Sequence, residues 1–291
     1  MEELKGEKLF IVGLGLIGGS LALALKEANP SVQIAGWDSN PFNRNRALEL
    51  GLIESIEEFR SGVASSALSI LSTPVNSIPT LLKEALDIYA SISPSQRGVI
   101  CDMGSTKVKI GESVREHPMR EHYVAAHPIA GTEFSGPDAA LSGLFKEKNM
   151  ILCDLELSAP YLANRVEELF REIGMRVRRM NSRDHDYHVA YVSHLSHISA
   201  FSLAISVLDK EEGEKEILNL AAGGFDSTVR LAKSSSETWS AILLHNREYL
   251  LEAIESYSRN IEAIRVALER GEGESLKEII VKANKIKKIL N

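Results

Sequence analysis

Through the first 180 residues, short apolar runs alternate with segments whose apolar positions recur every three or four residues. The short runs predict strands at Leu9–Val12, Val32–Trp37, Ala67–Leu71, Gly98–Cys101, Tyr123–Ala126, Met150–Cys153 and Arg176–Arg179. Helices are predicted between several of them, over Gly18–Glu27, Pro41–Leu50, Ile78–Ala90, Lys107–Glu116 and Pro160–Ile173. Pro41 just inside one helix, and Gly51 just past its end, follow the usual asymmetry of helix start and stop. Strands alternating with helices imply βαβ units and a mostly parallel sheet, an α/β fold.

From about Ser182 the pattern changes to helices alone, predicted over Asp184–Leu208, Glu237–Glu269 and Ser275–Leu290 and punctuated by GGF at 223–225 and GEG at 271–273. The change divides the chain into an α/β domain, residues 1–182, and an all-helical domain, residues 183–291. The last segment, KEIIVKANKIKKIL, is basic and amphipathic. With nothing else membrane-directed, a helix packed on a partner subunit accounts for it better than a membrane surface. Leu9–Leu25 imitates a membrane span, with 17 uncharged residues. Its four glycines, and its change from strand to helical spacing halfway, favour a soluble strand–turn–helix. The flank MEELKGEK does not resemble the start of a signal peptide, so a cytoplasmic protein is expected.

A length of 291 residues is ample for a sizeable core, and 44% hydrophobic with 25% charged residues is ordinary for a globular chain. The net charge of −7 argues against nucleic acid as a partner, yet leaves room for a small anionic substrate in a locally cationic pocket. Cys101 and Cys153 lie in separate apolar runs without CxxC spacing, which fits a reducing compartment.

The first chemical signal is Gly13-Leu14-Gly15-Leu16-Ile17-Gly18, a GxGxxG that follows an apolar strand and opens an apolar helix. Gly13 permits the tight turn, Gly15 lets the backbone approach a pyrophosphate, and Gly18 lets helix and strand pack closely. The helix N-terminus then faces the phosphates. Asp38 ends the second strand 20 residues beyond Gly18, where a carboxylate binds the adenosine ribose and repels a 2′-phosphate. The expected cofactor is therefore NAD, with NADP disfavoured; Arg44 and Arg46 nearby read as solvated helix charges.

Ligands of an open parallel sheet bind beyond the carboxyl ends of its strands. Ser72-Thr73-Pro74, Asp102-Met103-Gly104-Ser105 and His127 all fall at such ends. A histidine closing a buried strand is by default a core residue with a hydrogen-bond partner, but this position sets His127 at the mouth of the nicotinamide pocket. Asp184–His197, DHDYHVAYVSHLSH, carries four histidines without HExxH spacing, so substrate contacts are expected and no metal. Helical spacing puts Ser193 and His197 on one face and turns His194 away, with His185 and His188 solvated near the helix start. In GGFDSTVRLAKSSSETW, Gly223 to Trp239, Arg230 suits two-point recognition of a carboxylate; an ordinary surface ion pair is the alternative.

GLGLIGGS, Asp38, STP, DMGS with Lys107, HPIAGTEFSG, VSHLSH and GGFDSTVRLAKS with Trp239, in this order, resemble the prephenate/arogenate dehydrogenase family of tyrosine biosynthesis, and the resemblance covers nearly the whole chain. It implies a Rossmann-type NAD(P)-binding domain followed by a helical domain through which two subunits dimerise. By position, His127 looks like the catalytic histidine that accepts a hydrogen bond from the ring hydroxyl, and Ser105 like the serine that helps hold that hydroxyl and the nicotinamide. Arg230 matches the arginine that binds the ring carboxylate. Ser193 and His197 match residues reaching the substrate side chain, Gly223 and Trp239 line the same pocket, Glu133 matches an acidic residue near its entrance, and Thr132 is a further expected substrate-binding residue. Ser196 departs from the proline many members carry there. No fused regulatory or mutase domain is expected after the helical domain.

The implied reaction is NAD-dependent oxidative decarboxylation of prephenate. Pulling the ring hydroxyl proton toward His127 drives hydride from the same carbon, and loss of carbon dioxide aromatises the ring. Arogenate, with an amino acid in place of the pyruvyl group, is the nearest alternative substrate, alone or alongside prephenate. A hydroxyacid dehydrogenase would need a catalytic lysine, for which Lys233 is the one tempting residue, and a redox-sensing NAD-binding protein would need neither base nor arginine.

Overall fold

Strand residues that are apolar on both faces form the core of the sheet unit, because both faces are covered. In β1 (Lys8–Val12), Leu9 and Ile11 point into one core while Phe10 and Val12 point into another, and all four are inaccessible to solvent. The same alternation runs through β2 (Gln33–Trp37), β4 (Leu68–Leu71), β5 (Val99–Asp102), β6 (Tyr123–Pro128) and β7 (Asn149–Cys153). The first core is closed by α1 (Leu16–Ala28), α2 (Pro41–Glu49) and α6 (Pro160–Glu172). The second is closed by α3 (Phe59–Ser65), α4 (Ile78–Ser91) and α5 (Val108–Ser113). This computed structural model describes residues 7–214 and 216–289. Leu290, the expected end of the last helix, and residues 1–6 of the N-terminal flank lie outside the described residues.

With β3 (Ser55–Ile56) and β8 (Arg176–Met180), the strands make one eight-stranded sheet in the order β3-β2-β1-β4-β5-β6-β7-β8. Pairs are parallel except β6–β7. The order reverses between β1 and β4, so the crevice of this doubly wound sheet opens at their carboxyl ends. Sequence spacing predicts seven of the eight strands and misses β3, a two-residue edge strand too short to show a pattern. It also misses α3, and it draws α5 too long: the helix stops at Ser113.

The antiparallel step has a simple cause. Residues 129–148 contain no crossover helix, only a 3₁₀ turn at Pro137–Ala139, so the chain re-enters the sheet from the edge it left. This long connection therefore stays at the carboxyl edge. It is fastened there by Leu141 N–H to Ser20 Oγ (2.9 Å) and by Arg46 to Asp138 (2.6 Å). Long irregular connections of this kind are usually functional.

After Met180 only helices follow among the described residues: α7 (Ser182–Val189), α8 (Leu195–Glu214), α9 (Gly223–Val229), α10 (Ser236–His245), α11 (Arg247–Arg270) and α12 (Gly273–Ala283). α7 and α8 are one continuous rod joined by a π-helical turn, Ala190–His194. By length and composition the rod could cross a membrane, the only such helix among the described residues. Leu9–Leu25, in contrast, is a strand, a turn and a helix. The single helix predicted over Glu237–Glu269 is broken at Asn246, whose buried amide is tied to the backbone of α7.

By packing, the chain forms two compact units that meet between Asn246 and Arg247. This break lies well beyond the compositional change at residue 182, because α7 and α10 pack onto the sheet unit: Asp186 binds the start of α5, and His245 Nδ1 lies 2.9 Å from Thr106 Oγ1. In the second unit α11 and α12 pack against each other, and Gly271, with φ +66°, turns the chain between them.

Candidate active site

The glycine loop stands at the switch point of the sheet. Gly13 has φ +93°, and a Cβ there would come within 2.7 Å of the Ser72 backbone. A Cβ on Gly18 would lie 2.0 Å from the Gly13 carbonyl. Ser72 Oγ donates to that carbonyl (2.7 Å), so the serine after β4 clamps the loop after β1. Thr73 is half-buried and Pro74 exposed beside it. At Gly15 the surroundings are open, with the nearest atom 3.9 Å from a built Cβ. Gly15 caps α1 without a side-chain hydrogen bond, and the first turn, including Leu16 and Ile17, holds no acid. This cradle fits a dinucleotide pyrophosphate, which needs close backbone approach and free N–H groups.

Asp38 is nearly buried. Its carboxylate accepts from Leu14 N–H (2.9 Å) and Asn40 N–H (2.8 Å), which fixes it beside the glycine loop. Arg46 is engaged by Asp138 and Glu49.

Beyond β5 the loop carrying Ser105 is organised by a buried ion pair. Lys107 Nζ bonds Asp102 Oδ2 and donates to the Ala126 carbonyl (2.6 Å), and both side chains are inaccessible to solvent. Asp102 Oδ1 accepts from Tyr123 Oη (2.6 Å) and Oδ2 from Gly104 N–H (2.9 Å). The half-buried Ser105 and His127 are thereby held on adjacent strand ends, with Lys107 bonded to the residue before His127.

His127 Nδ1 lies 2.8 Å from His185 Nε2, and His185 Nδ1 lies 2.7 Å from Asp186 Oδ1. Asp186 also accepts from the N–H groups of Lys107 (2.7 Å) and Val108 (2.9 Å), capping α5. His185 is therefore buried in the centre of the site, not solvated near a helix start; His188 does face solvent. Burial pushes the His127 imidazole well below its ordinary pKa, and the neighbouring His185, Lys107 and His194 push the same way. His185 is also lowered by burial, against the opposing effect of Asp186.

On the helical side, His197 stacks on Trp239 and donates from Nδ1 to the Ser193 carbonyl (3.0 Å). His194 is not turned away: it is buried edge-on against the same indole, with centroids 5.9 Å apart, and Asn246 Nδ2 lies 3.0 Å from its Nδ1. The π turn at 190–194 shifts the helix register, which an argument from regular helical spacing misses. Burial lowers His194 to about 4. His197 is lowered by burial and, further, by the charge of Arg230.

Arg230, just after α9, is half-exposed and pairs with Glu133 of the 129–148 connection at 3.4 Å. Thr132 Oγ1 accepts from Phe134 N–H (3.2 Å) in the same connection, and Gly223 opens α9 on the exposed side. Lys233 is exposed and paired with Asp226 (2.9 Å). Among the described residues no group of three or more His, Cys, Asp or Glu side chains is arranged to hold a metal ion. Sequence spacing overlooked His185, Asp186, His194 and Asn246 as site residues; the adjacency of His185 to an acid was the one available signal.

Two family models match, the prephenate dehydrogenase nucleotide-binding domain over residues 21–179 and the prephenate dehydrogenase dimerization domain over residues 181–282. The prephenate dehydrogenase of Bacillus subtilis is 33% identical, covering 95% of this chain and 74% of its own. The cyclohexadienyl dehydrogenase of Zymomonas mobilis is 31% identical, covering 92% and 90%. The crystal structure of Aquifex aeolicus prephenate dehydrogenase with hydroxyphenyl propionate and NAD+ superimposes with a TM-score of 0.84, at 29% identity and 97% coverage of each chain. With its doubly wound sheet, its glycine cradle and both domain matches, this chain belongs to the prephenate dehydrogenase family.

Proposed function

We propose that the protein is an NAD-dependent prephenate dehydrogenase that converts prephenate to 4-hydroxyphenylpyruvate and carbon dioxide. The observation that carries this reading is His127: a half-buried imidazole kept neutral by its surroundings, at the carboxyl edge of the sheet, beside the Ser105 loop. Gly13, Gly15 and the start of α1 would hold the pyrophosphate and Asp38 the adenosine ribose, in the arrangement that favours NAD over NADP. NAD, when bound, supplies the acceptor for the hydride.

The protein's own groups perform the rest. His127 draws on the proton of the ring hydroxyl, held also by Ser105, and raises electron density at the carbon that loses hydride. The bond from the ring to its carboxylate then breaks, and its electron pair completes the aromatic ring. His127 returns the proton to what has become a phenol. Arg230 binds the ring carboxylate, and His197, Ser193, Trp239 and Gly223 line the substrate side chain, with Thr132 and Glu133 at the entrance. The Arg230 charge suits a dianionic substrate despite the net charge of −7.

Arogenate, alone or alongside prephenate, is the second reading; the likeness to a cyclohexadienyl dehydrogenase favours an enzyme of dual specificity. Dimerisation through residues 183–291 is supported by the dimerization-domain match and by exposed apolar residues such as Ile205, Leu208, Ile261 and Leu268. A cytoplasmic enzyme is the matching location: the long apolar rod carries His185, Asp186 and His194 buried against the sheet unit, which suits a soluble protein.

Absorbance of the reduced cofactor tests the reading, with NAD or NADP and with prephenate or arogenate. Fast reduction of NAD with prephenate supports it, turnover with arogenate alone moves the substrate, and no turnover with either overturns it.

A further inference from the structure

Buried imidazoles in series are informative because a neutral ring has one N–H and one lone pair, and the partners decide which nitrogen holds which. The chain of contacts ends on Asp186, whose carboxylate also receives two backbone N–H groups and so keeps a fixed orientation. A carboxylate only accepts, so His185 Nδ1, 2.7 Å away, must carry a hydrogen. A neutral His185 then presents a lone pair at Nε2. His127 Nδ1, 2.8 Å from it, must in turn be the donor, and the remaining lone pair of His127 falls on Nε2.

We propose that His185 and Asp186 are positioning residues that set the tautomer of His127, locking its proton on Nδ1 and leaving Nε2 as an obligatory acceptor for the substrate hydroxyl. A free imidazole populates both tautomers, and the one with Nε2–H would meet that hydroxyl donor to donor. The relay also serves the moment of reaction. When Nε2 gains its share of the proton, the new charge is held through the Nδ1–H bond to His185 and, beyond it, by Asp186. Neither residue needs to touch substrate. The proposal rests on His127 as the base, and its first test needs no substrate.

With nitrogen-15 histidine, two-bond proton–nitrogen correlation of the ligand-free protein at pH 7.5 reads the tautomer directly, and His127→Asn identifies the signals by deleting them. Protonated Nδ1 with bare Nε2 is expected; protonated Nε2 in the unmodified protein overturns the proposal, whatever the variants do. In His185→Phe the His127 signals should move to the Nε2–H form or a mixture, with kcat falling about 100-fold and KM changing less than about threefold. His185→Gln can accept through its amide oxygen and donate to Asp186 through its amide nitrogen, so it should keep the tautomer and return kcat to within about tenfold of the parent. An unchanged tautomer and kcat in His185→Phe also overturns the proposal. A locked tautomer in a protein that turns over neither prephenate nor arogenate would support the relay and sink the substrate reading alone.

Discussion

The imidazole of His197 lies flat on the indole of Trp239, with ring centroids 3.3 Å apart and planes inclined by 20°. Because His197 Nδ1 donates to the Ser193 carbonyl, the lone pair of the neutral ring is on Nε2. The stack fixes where that nitrogen points, and such aromatic contacts contribute about 0.5–1.5 kcal/mol beyond buried area. Trp239→Ala should raise KM for the substrate about tenfold with a smaller effect on kcat, while Trp239→Phe retains most of the affinity. Steady-state kinetics check this, and equal KM for both variants and the parent would remove Trp239 from the pocket.

Replacing His127 by asparagine keeps a polar side chain of similar reach but removes the proposed base. Turnover should fall by about 10²–10⁴-fold while cofactor binding, followed by fluorescence, is unchanged. The lowered pKa of His127 gives a second readout. Burial disfavours the imidazolium, so the neutral form that the proposed mechanism requires persists below the ordinary value of 6.5. The acid limb of kcat/KM should therefore lie well under pH 6.5, and an inflection at 6.5 would contradict the buried environment of this ring.

Arg230 is the cation proposed for the ring carboxylate, and Glu133 occupies it at 3.4 Å. Arg230→Ala should raise KM about 100-fold, since a desolvated carboxylate loses its partner. Arg230→Lys should recover only part of this, because an ammonium lacks the two-point fork. Glu133→Gln, which removes the competing carboxylate, should lower KM modestly. A KM insensitive to all three would return Arg230 to the status of a surface ion pair.

Lys107 and Asp102 are wholly buried and paired with each other. Lys107→Met leaves the Asp102 carboxylate without its cation, a change that typically costs about 3–5 kcal/mol. For a chain of this size the melting temperature should drop by roughly 10 °C. Denaturant titration measures the loss directly, and a stability within 1 kcal/mol of the parent would show that Tyr123 and the backbone N–H groups alone satisfy Asp102.

Acid should weaken the fold before the carboxylates titrate. His127, His185 and His194 all have folded pKa values below the unfolded value of 6.5, that of His194 being about 4. Between those values the unfolded chain binds more protons than the native one. The stabilisation is therefore complete above pH 6.5 and is lost as pH falls toward 4. His194 alone accounts for about 3 kcal/mol by this linkage. Urea midpoints at pH 7.5, 6.0 and 5.0 should fall in that order, and His194→Gln should flatten the trend.

Much of the architecture was legible because it is written in local chemistry. Apolar runs such as LFIV and LSIL predict strands by length and composition, and the GxGxxG between a strand and a helix predicts the cradle whose Gly13 and Gly18 leave no space for a Cβ. The edge strand β3 and helix α3 were not legible, being too short for periodicity to register. His194 was misplaced for a different reason: the π turn adds a residue to the helical period, and nothing in the side-chain pattern of AYVSH announces it.

By itself, the order of residues determined the α/β frame, the strand ends on which Ser72, Ser105 and His127 stand, the family and the set of residue types available for chemistry. Only the tertiary structure decided that His185 and Asp186, 58 and 59 positions beyond His127, close on its ring, and that the compact sheet unit extends to Asn246. The physical reason is the range of the interactions. Strand and helix signals come from neighbours within a few residues, whereas proton placement on a buried imidazole depends on which distant groups the fold brings within 3 Å of its two nitrogens.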